Sequence, residues 1–181
     1  MSWKIIILML VVLALYIYSY YRYPKITSII QSHIRMFKPE ILLAKQPIVI
    51  DDNDIDLQLF KSKLFSYNPT QLFTLSTSES WYKNKHKYVI LQSNKGPVDI
   101  LLCNPNFVDS KTNTPIENKT NDTNNADAEK ANANTDTDAE IVEVQLSEGQ
   151  ILIIPFNWLY FIQNSTIECV GIHDYITYFL P

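Results

Sequence analysis

The sequence predicts a mainly β protein, an antiparallel sandwich or barrel, held behind one apolar N-terminal helix. Three observations lead there. Residues 5–21 are an uninterrupted apolar run. From residue 47 onward, short apolar stretches alternate with turn residues at the spacing of antiparallel strands. Residues 109–140 contain one isoleucine and no other large apolar side chain, so they lie outside any core. The composition sets outer bounds. Of 181 residues, 46% are hydrophobic, 12% aromatic and 19% charged, which excludes a chain disordered throughout. Three glycines exclude collagen-like and glycine-cradled phosphate designs. A formal net charge of −4 argues against a basic nucleic-acid-binding domain, and no nucleic-acid partner is expected. Two cysteines are too few for a disulfide framework.

The first element is the run IIILMLVVLALYIYSYY, free of charge, Pro and Gly. Its length is at the short end of a spanning helix, and Trp3 with Tyr16, Tyr18, Tyr20, Tyr21 and Tyr23 extends it at the interfaces. A cleaved signal peptide would need small residues at a cut site, whereas bulky tyrosines and Arg22 follow here. Residues 1–24 therefore read as an uncleaved single-pass transmembrane anchor, with the membrane as partner. Arg22, Lys25, Arg35 and Lys38 outweigh Lys4, which favours the following domain on the cytoplasmic side. Three N-glycosylation acceptor triplets, at Asn118, Asn121 and Asn164, weigh lightly the other way in a chain rich in Asn and Thr.

Residues 25–38 predict a basic amphipathic juxtamembrane helix, with Ile26, Ile29, Ile30 and Ile34 at helical spacing. That face would lie on the membrane or pack on the domain behind it. The globular part is placed at 39–181. Residues 47–52 read as a strand running into an acidic turn. Asp51, Asp52, Asp54 and Asp56 lack the glycine and closing glutamate of a calcium loop, so a solvated turn or helix cap is expected. Residues 55–65 predict a helix buried through Leu57, Phe60 and Leu64. Strands are expected at 71–76, 88–93, 98–103, 141–146, 150–155, 158–162, 168–172 and 175–180. Residues 109–140 are expected to be a disordered insertion within the domain.

One stretch carries a resemblance. Residues 144–162, VQLSEGQILIIPFNWLYFI, have a strand, a Gly-containing turn at Gly149, an apolar strand ending in Pro155, and Trp158 three residues later. Residues 88–105 add a strand–turn–strand leading to a proline, and 46–52 match the approach to the domain. Together these resemble the cupin-like double-stranded β-helix of the JmjC and related hydroxylase superfamily. The resemblance implies a jelly roll with one or two short helices. It also implies an Fe(II) triad of two His and one carboxylate, serving 2-oxoglutarate chemistry. The first two ligands would come from a His-x-Asp/Glu unit before the strand at Tyr88, and the third would follow Trp158 by two residues. Here the unit is His86-Lys87-Tyr88, and the later position is Tyr160. Two of the three ligands are thus tyrosines, so no metal, cofactor or catalytic residue is expected.

Weaker constellations remain. His86, His173 and Asp174 are the candidates for an unorthodox metal site. Cys169-x3-His173, with Cys103 and His86, has spacing that zinc tolerates. Two buried structural cysteines are the preferred alternative, and a Cys103–Cys169 disulfide requires an oxidising compartment. Trp81, Tyr82, Trp158 and Tyr160 are candidates for a pocket that takes a glycan or peptide, with core packing as the plainer role. Lys83, Lys85 and Lys87 fit a lysine-guarded edge strand. The expected function is a membrane-anchored, non-catalytic binding or scaffolding module with an unidentified protein or glycan partner. The alternatives are a tethered 2-oxoglutarate/Fe(II)-type hydroxylase with atypical ligands and an anchored structural β-sandwich.

Overall fold

A computed structural model describes residues 3–52, 55–77, 79–93, 96–109, 111–116 and 140–179. Helix α1 spans Trp3–Tyr20. It is followed by β1 (Ile30–Ser32), a 3-10 turn (Pro39–Ala44), β2 (Ile48–Ile50) and helix α2 (Leu57–Phe65). Next come β3 (Thr70–Leu75), β4 (Tyr82–Lys83), β5 (Tyr88–Gln92) and β6 (Val98–Cys103). The chain then continues through β7 (Ile141–Leu146), β8 (Ile151–Pro155), β9 (Leu159–Ile162), β10 (Ile167–Ile172) and a short α3 (Tyr175–Phe179). The strands form two sheets. The larger has the order β1-β2-β8-β5-β10-β3 and the smaller β4-β9-β6-β7. All pairings are antiparallel except β1 with β2.

The apolar pattern explains why two layers cover the larger sheet. In β5 and β8 every residue is buried, so the alternation of a half-exposed strand is missing. Val89, Leu91, Leu152 and Ile154 face the smaller sheet, whose Val98, Ile100, Leu102, Leu146 and Ile162 close that core. Tyr88, Ile90, Ile151 and Ile153 face the other way, where Leu42, Ile55, Leu57, Phe60 and Phe65 cover them. Helix α2 is fixed for this by Asp56, whose carboxylate accepts from Gln58 N (2.9 Å) and Leu59 N (3.1 Å). This is the cap expected of the acidic run. Asp51 and Asp52 also hold chain: Asp52 accepts from Ile34 N, and Asp51 from Gln150 Nε2.

Three expectations are corrected. The juxtamembrane helix over 25–38 does not form. Instead β1 pairs in parallel with β2, and Ile29 and Ile30 pack into the inner and outer cores respectively. The isoleucines follow a helical period, but β-branched residues favour a strand once a partner edge is present, and β2 offers that edge. The domain accordingly begins before residue 39. The final strand over 175–180 is helix α3 instead. Asp174 starts it: its carboxylate accepts from Thr177 N (2.8 Å), and Thr177 Oγ1 accepts from Asp174 N (3.0 Å). Third, the polar stretch begins with a defined turn. Asn113 N donates to Asp109 O, and Val108 bridges Pro115. Residues 117–139, with Asn118 and Asn121, lie outside the described residues.

Candidate functional site

The residues that carried the resemblance lie around the end of β8. Gly149 turns the chain from β7 to β8 at φ 84°, a backbone region that side chains disfavour, and its N–H donates to Ser93 O (2.7 Å). Pro155 ends β8 opposite Tyr88. Asn157 takes a φ of 65° and brings the chain into β9. Trp158 is fully buried between the sheets, and its indole N–H donates to Lys45 O (3.1 Å). Tyr160 stands opposite Tyr82 in the β4–β9 ladder, and their rings stack at 5.5 Å. Burial raises the Tyr160 phenol far above its usual pKa, so it remains neutral. Trp81 packs on Phe161 at 5.7 Å, outside this stack. Of the four aromatic pocket candidates, Trp158 is therefore a core side chain, and Tyr82 and Tyr160 pack on each other.

Asn84 was not singled out from sequence, yet it ties this region together. It is buried, and its amide donates to Ile154 O (2.9 Å) and Pro155 O (2.8 Å) while its carbonyl accepts from His86 N (2.8 Å). Its backbone also bonds to Trp158 O and Asn157 N. A buried asparagine beside a lysine-rich stretch gives no periodic signal, so only the geometry reveals it.

The two tyrosines at the expected ligand positions do not converge. Tyr160 belongs to the core between the sheets, whereas Tyr88 lies on the opposite face of the larger sheet, in contact with Phe65. The Tyr88 hydroxyl donates to Leu42 O (3.2 Å), and burial pushes its pKa up to about 12. The side chain that faces Tyr160 is Tyr82, with Asn84 two residues on. His86 instead lies over Gly171, stacked on Phe73 at 5.4 Å and 4.4 Å from the His173 ring. His173 Nδ1 is buried and has no hydrogen-bond partner among the described residues. Asp174 turns its carboxylate elsewhere. It accepts from the Tyr16 hydroxyl (3.1 Å), lies 3.7 Å from Lys87 Nζ and caps α3. Among the described residues no three His, Cys, Asp or Glu side chains are grouped to hold a metal.

The histidine pair makes stability depend on pH. Burial, reinforced by the charge of His173, lowers the His86 pKa to about 4 from the usual 6.5. Between those values the unfolded chain binds a proton that the folded chain refuses, so stability is lost as pH falls from about 6.5 to 4. For this half-buried ring the expected loss is about 1–2 kcal/mol after solvent screening. Thermal unfolding of the wild type and of His86→Gln across this range checks it. Equal slopes for the two proteins would refute the assignment.

Both cysteines are free and buried. Cys103 is on β6 and Cys169 on β10, in different sheets. Burial pushes their thiols up to about 11 and about 12, which suppresses the nucleophilic thiolate. Asn164 is exposed and donates to Asp99 Oδ2 (3.2 Å). Lys83 is on β4, an edge strand as expected, but Lys87 is drawn inward to Asp174.

A cavity of about 160 Å³ lies where the last turns of α1 meet the domain. Tyr16, Tyr20 and Tyr23 form one wall, and Leu42, Tyr88 and Phe156 the other, with Lys45 and Lys87 as its cations. The chain just after α1 is tied down around it. Asn104 and Asn106 donate to Pro24 O (3.0 and 2.9 Å), Asn157 donates to the Tyr23 hydroxyl (2.8 Å), and Lys45 Nζ donates to Arg22 O (3.2 Å). Burial of the Tyr23 phenol pushes its pKa up to about 12. Sequence separation concealed this site, because its residues come from four stretches far apart in the chain.

The fold and site thus define a two-sheet β domain joined to an N-terminal apolar helix. No protein-family model matches the chain, and no curated protein is significantly similar to it.

Proposed function

We propose that the chain is a single-pass membrane protein whose β domain is a cupin-like double-stranded β-helix acting as a non-catalytic binding or scaffolding module. The strand order supports the fold. From β3 onward the orders β3-β10-β5-β8 and β4-β9-β6-β7 interleave as in an eight-stranded jelly roll. The observation that carries the functional reading is the Tyr82–Tyr160 stack. A metal site that includes the position two residues after Trp158 would draw its partners from Tyr82 and Asn84. The first is stacked on Tyr160, and the amide of the second is committed to backbone. The His86–His173 approach favours a second reading, a hydroxylase with atypical ligands. The full-length protein, purified without chelators, separates the two through its bound metal and its 2-oxoglutarate affinity. Stoichiometric iron with saturable 2-oxoglutarate binding would overturn the non-catalytic reading.

Helix α1 supports the membrane assignment. Its 18 residues have a mean hydropathy of 2.0, and only Tyr20 is buried against the domain. At 1.5 Å per residue it is about 27 Å long, close to the thickness of a bilayer core. Lys45 and Lys87 join Arg22 and Lys25 on the domain-side flank, which favours that side facing the cytoplasm. The full chain is expected to stay in the membrane pellet after alkaline carbonate extraction, and a chain lacking residues 1–20 to be released. Release of the full chain would refute the anchor.

A further inference from the structure

We propose that the cavity between α1 and the β domain binds the headgroup phosphate of an anionic phospholipid, whose acyl chains lie along α1. This inference rests on the reading of α1 as a membrane span. The cavity has the required chemistry. Among the described residues its lining includes two lysines and no acidic side chain, although the Asp174 carboxylate bonds two lining residues, Tyr16 and Lys87. Lys45 is held in place, with Nζ bonded to Arg22 O and about 6 Å above the rings of Tyr20 (6.0 Å) and Tyr23 (5.9 Å). Lys87 is oriented by Asp174 at 3.7 Å and keeps further N–H donors for an anion. Burial lowers the pKa of both lysines, and an incoming anion relieves that cost.

Position and shape select a lipid over free phosphate. Tyr16 and Tyr20 occupy the last turns of α1, the depth at which a span meets the headgroup layer. Tyr16 also borders a second, almost wholly apolar groove that runs along α1 past Leu13 and Met9. One molecule therefore finds a cationic niche and an apolar track joined at a single residue. Leu43 in the lining is 79% exposed. On α3, tied to Tyr16 through Asp174, the side chains of Tyr175 and Tyr178 are 84% and 67% exposed, which suits a surface seated on the interface. Anionic lipids enriched in the cytoplasmic leaflet match the orientation set by the basic flank.

The test uses the full-length protein reconstituted with phosphatidylcholine and phosphatidylserine, with retained lipid counted by native mass spectrometry. One phosphatidylserine should be retained in preference to phosphatidylcholine. Lys45→Gln should weaken that retention roughly fivefold, Lys45→Arg should restore it, and Lys25→Gln, outside the cavity, should leave it nearly unchanged. Equal loss in Lys25→Gln would mean diffuse surface charge and would overturn the site. So would equal retention of the two lipids, or occupancy by inorganic phosphate in lipid-free detergent that excludes the lipid. Thermal unfolding of Lys45→Gln and Lys45→Arg separates lost binding from lost folding. Carbonate extraction reads the anchor independently. A protein that stays in the membrane without lipid preference sinks the site alone, whereas a protein released by carbonate sinks both.

Discussion

Replacing Asn84 with alanine is expected to cost on the order of 3–5 kcal/mol of folding stability. The side chain donates two buried hydrogen bonds, to Ile154 O and Pro155 O, and accepts a partly buried one from His86 N. Alanine leaves two carbonyls and one N–H without those partners, at about 1–3 kcal/mol for each group that water does not reach. At roughly 2–4 °C per kcal/mol for a chain of this size, the melting temperature should fall by about 6–20 °C. Asn84→Asp keeps the acceptor for His86 N but loses both donors, so it should be nearly as damaging. Thermal unfolding of the full-length protein in detergent measures both. A change below about 1 kcal/mol, the range of an ordinary surface substitution, would show that water satisfies these groups.

Gly171→Ala is expected to destabilise the fold by about 1–3 kcal/mol, through overpacking against the His86 ring. A methyl group there would stand under 3.0 Å from Cγ, Cδ2 and Nε2 of His86. That ring is stacked on Phe73 and lies against His173. Gly171 itself sits in β10 with neighbours on both sides, β3 and β5, so its backbone cannot yield without breaking two ladders. The double variant Gly171→Ala/His86→Ala should therefore be more stable than the sum of the two single losses predicts, with a coupling of about 1 kcal/mol or more. Strict additivity would mean that the histidine is not what the glycine accommodates.

The strand framework was legible because its signals are local. The expected strands at 98–103 and 141–146 coincide with β6 and β7, and those at 88–93 and 150–155 differ from β5 and β8 by single residues. The Asp56 cap followed from residue type and position alone. The misreadings fell where a local pattern was ambiguous. Isoleucines at 26, 29, 30 and 34 have helical spacing, but their β-branched side chains also suit a strand, and the edge of β2 decided for the strand. The terminal run after Asp174 is rich in the aromatic and β-branched residues of strands, but a reciprocal bond with Thr177 turned it into a helix. The supposed ligand unit at His86 and Tyr88 was chosen by its distance from a strand. The partner of Tyr160 proved to be Tyr82, because register across β4 and β9 is a long-range property that spacing along the chain does not encode.

The sequence by itself determined the apolar N-terminal helix, the mainly β character, the polar insertion and the absence of any His-x-Asp or His-x-Glu unit. These depend on composition and short-range periodicity, which any stretch carries with it. Only the tertiary structure decided that Tyr82 and Tyr160 face each other, that Asn84 closes the corner beside them and that His86 lies over a glycine. It alone brought Lys45 and Lys87 beside the end of α1. Each of these depends on contacts between residues dozens of positions apart, and such contacts exist only once the two sheets have closed on one core.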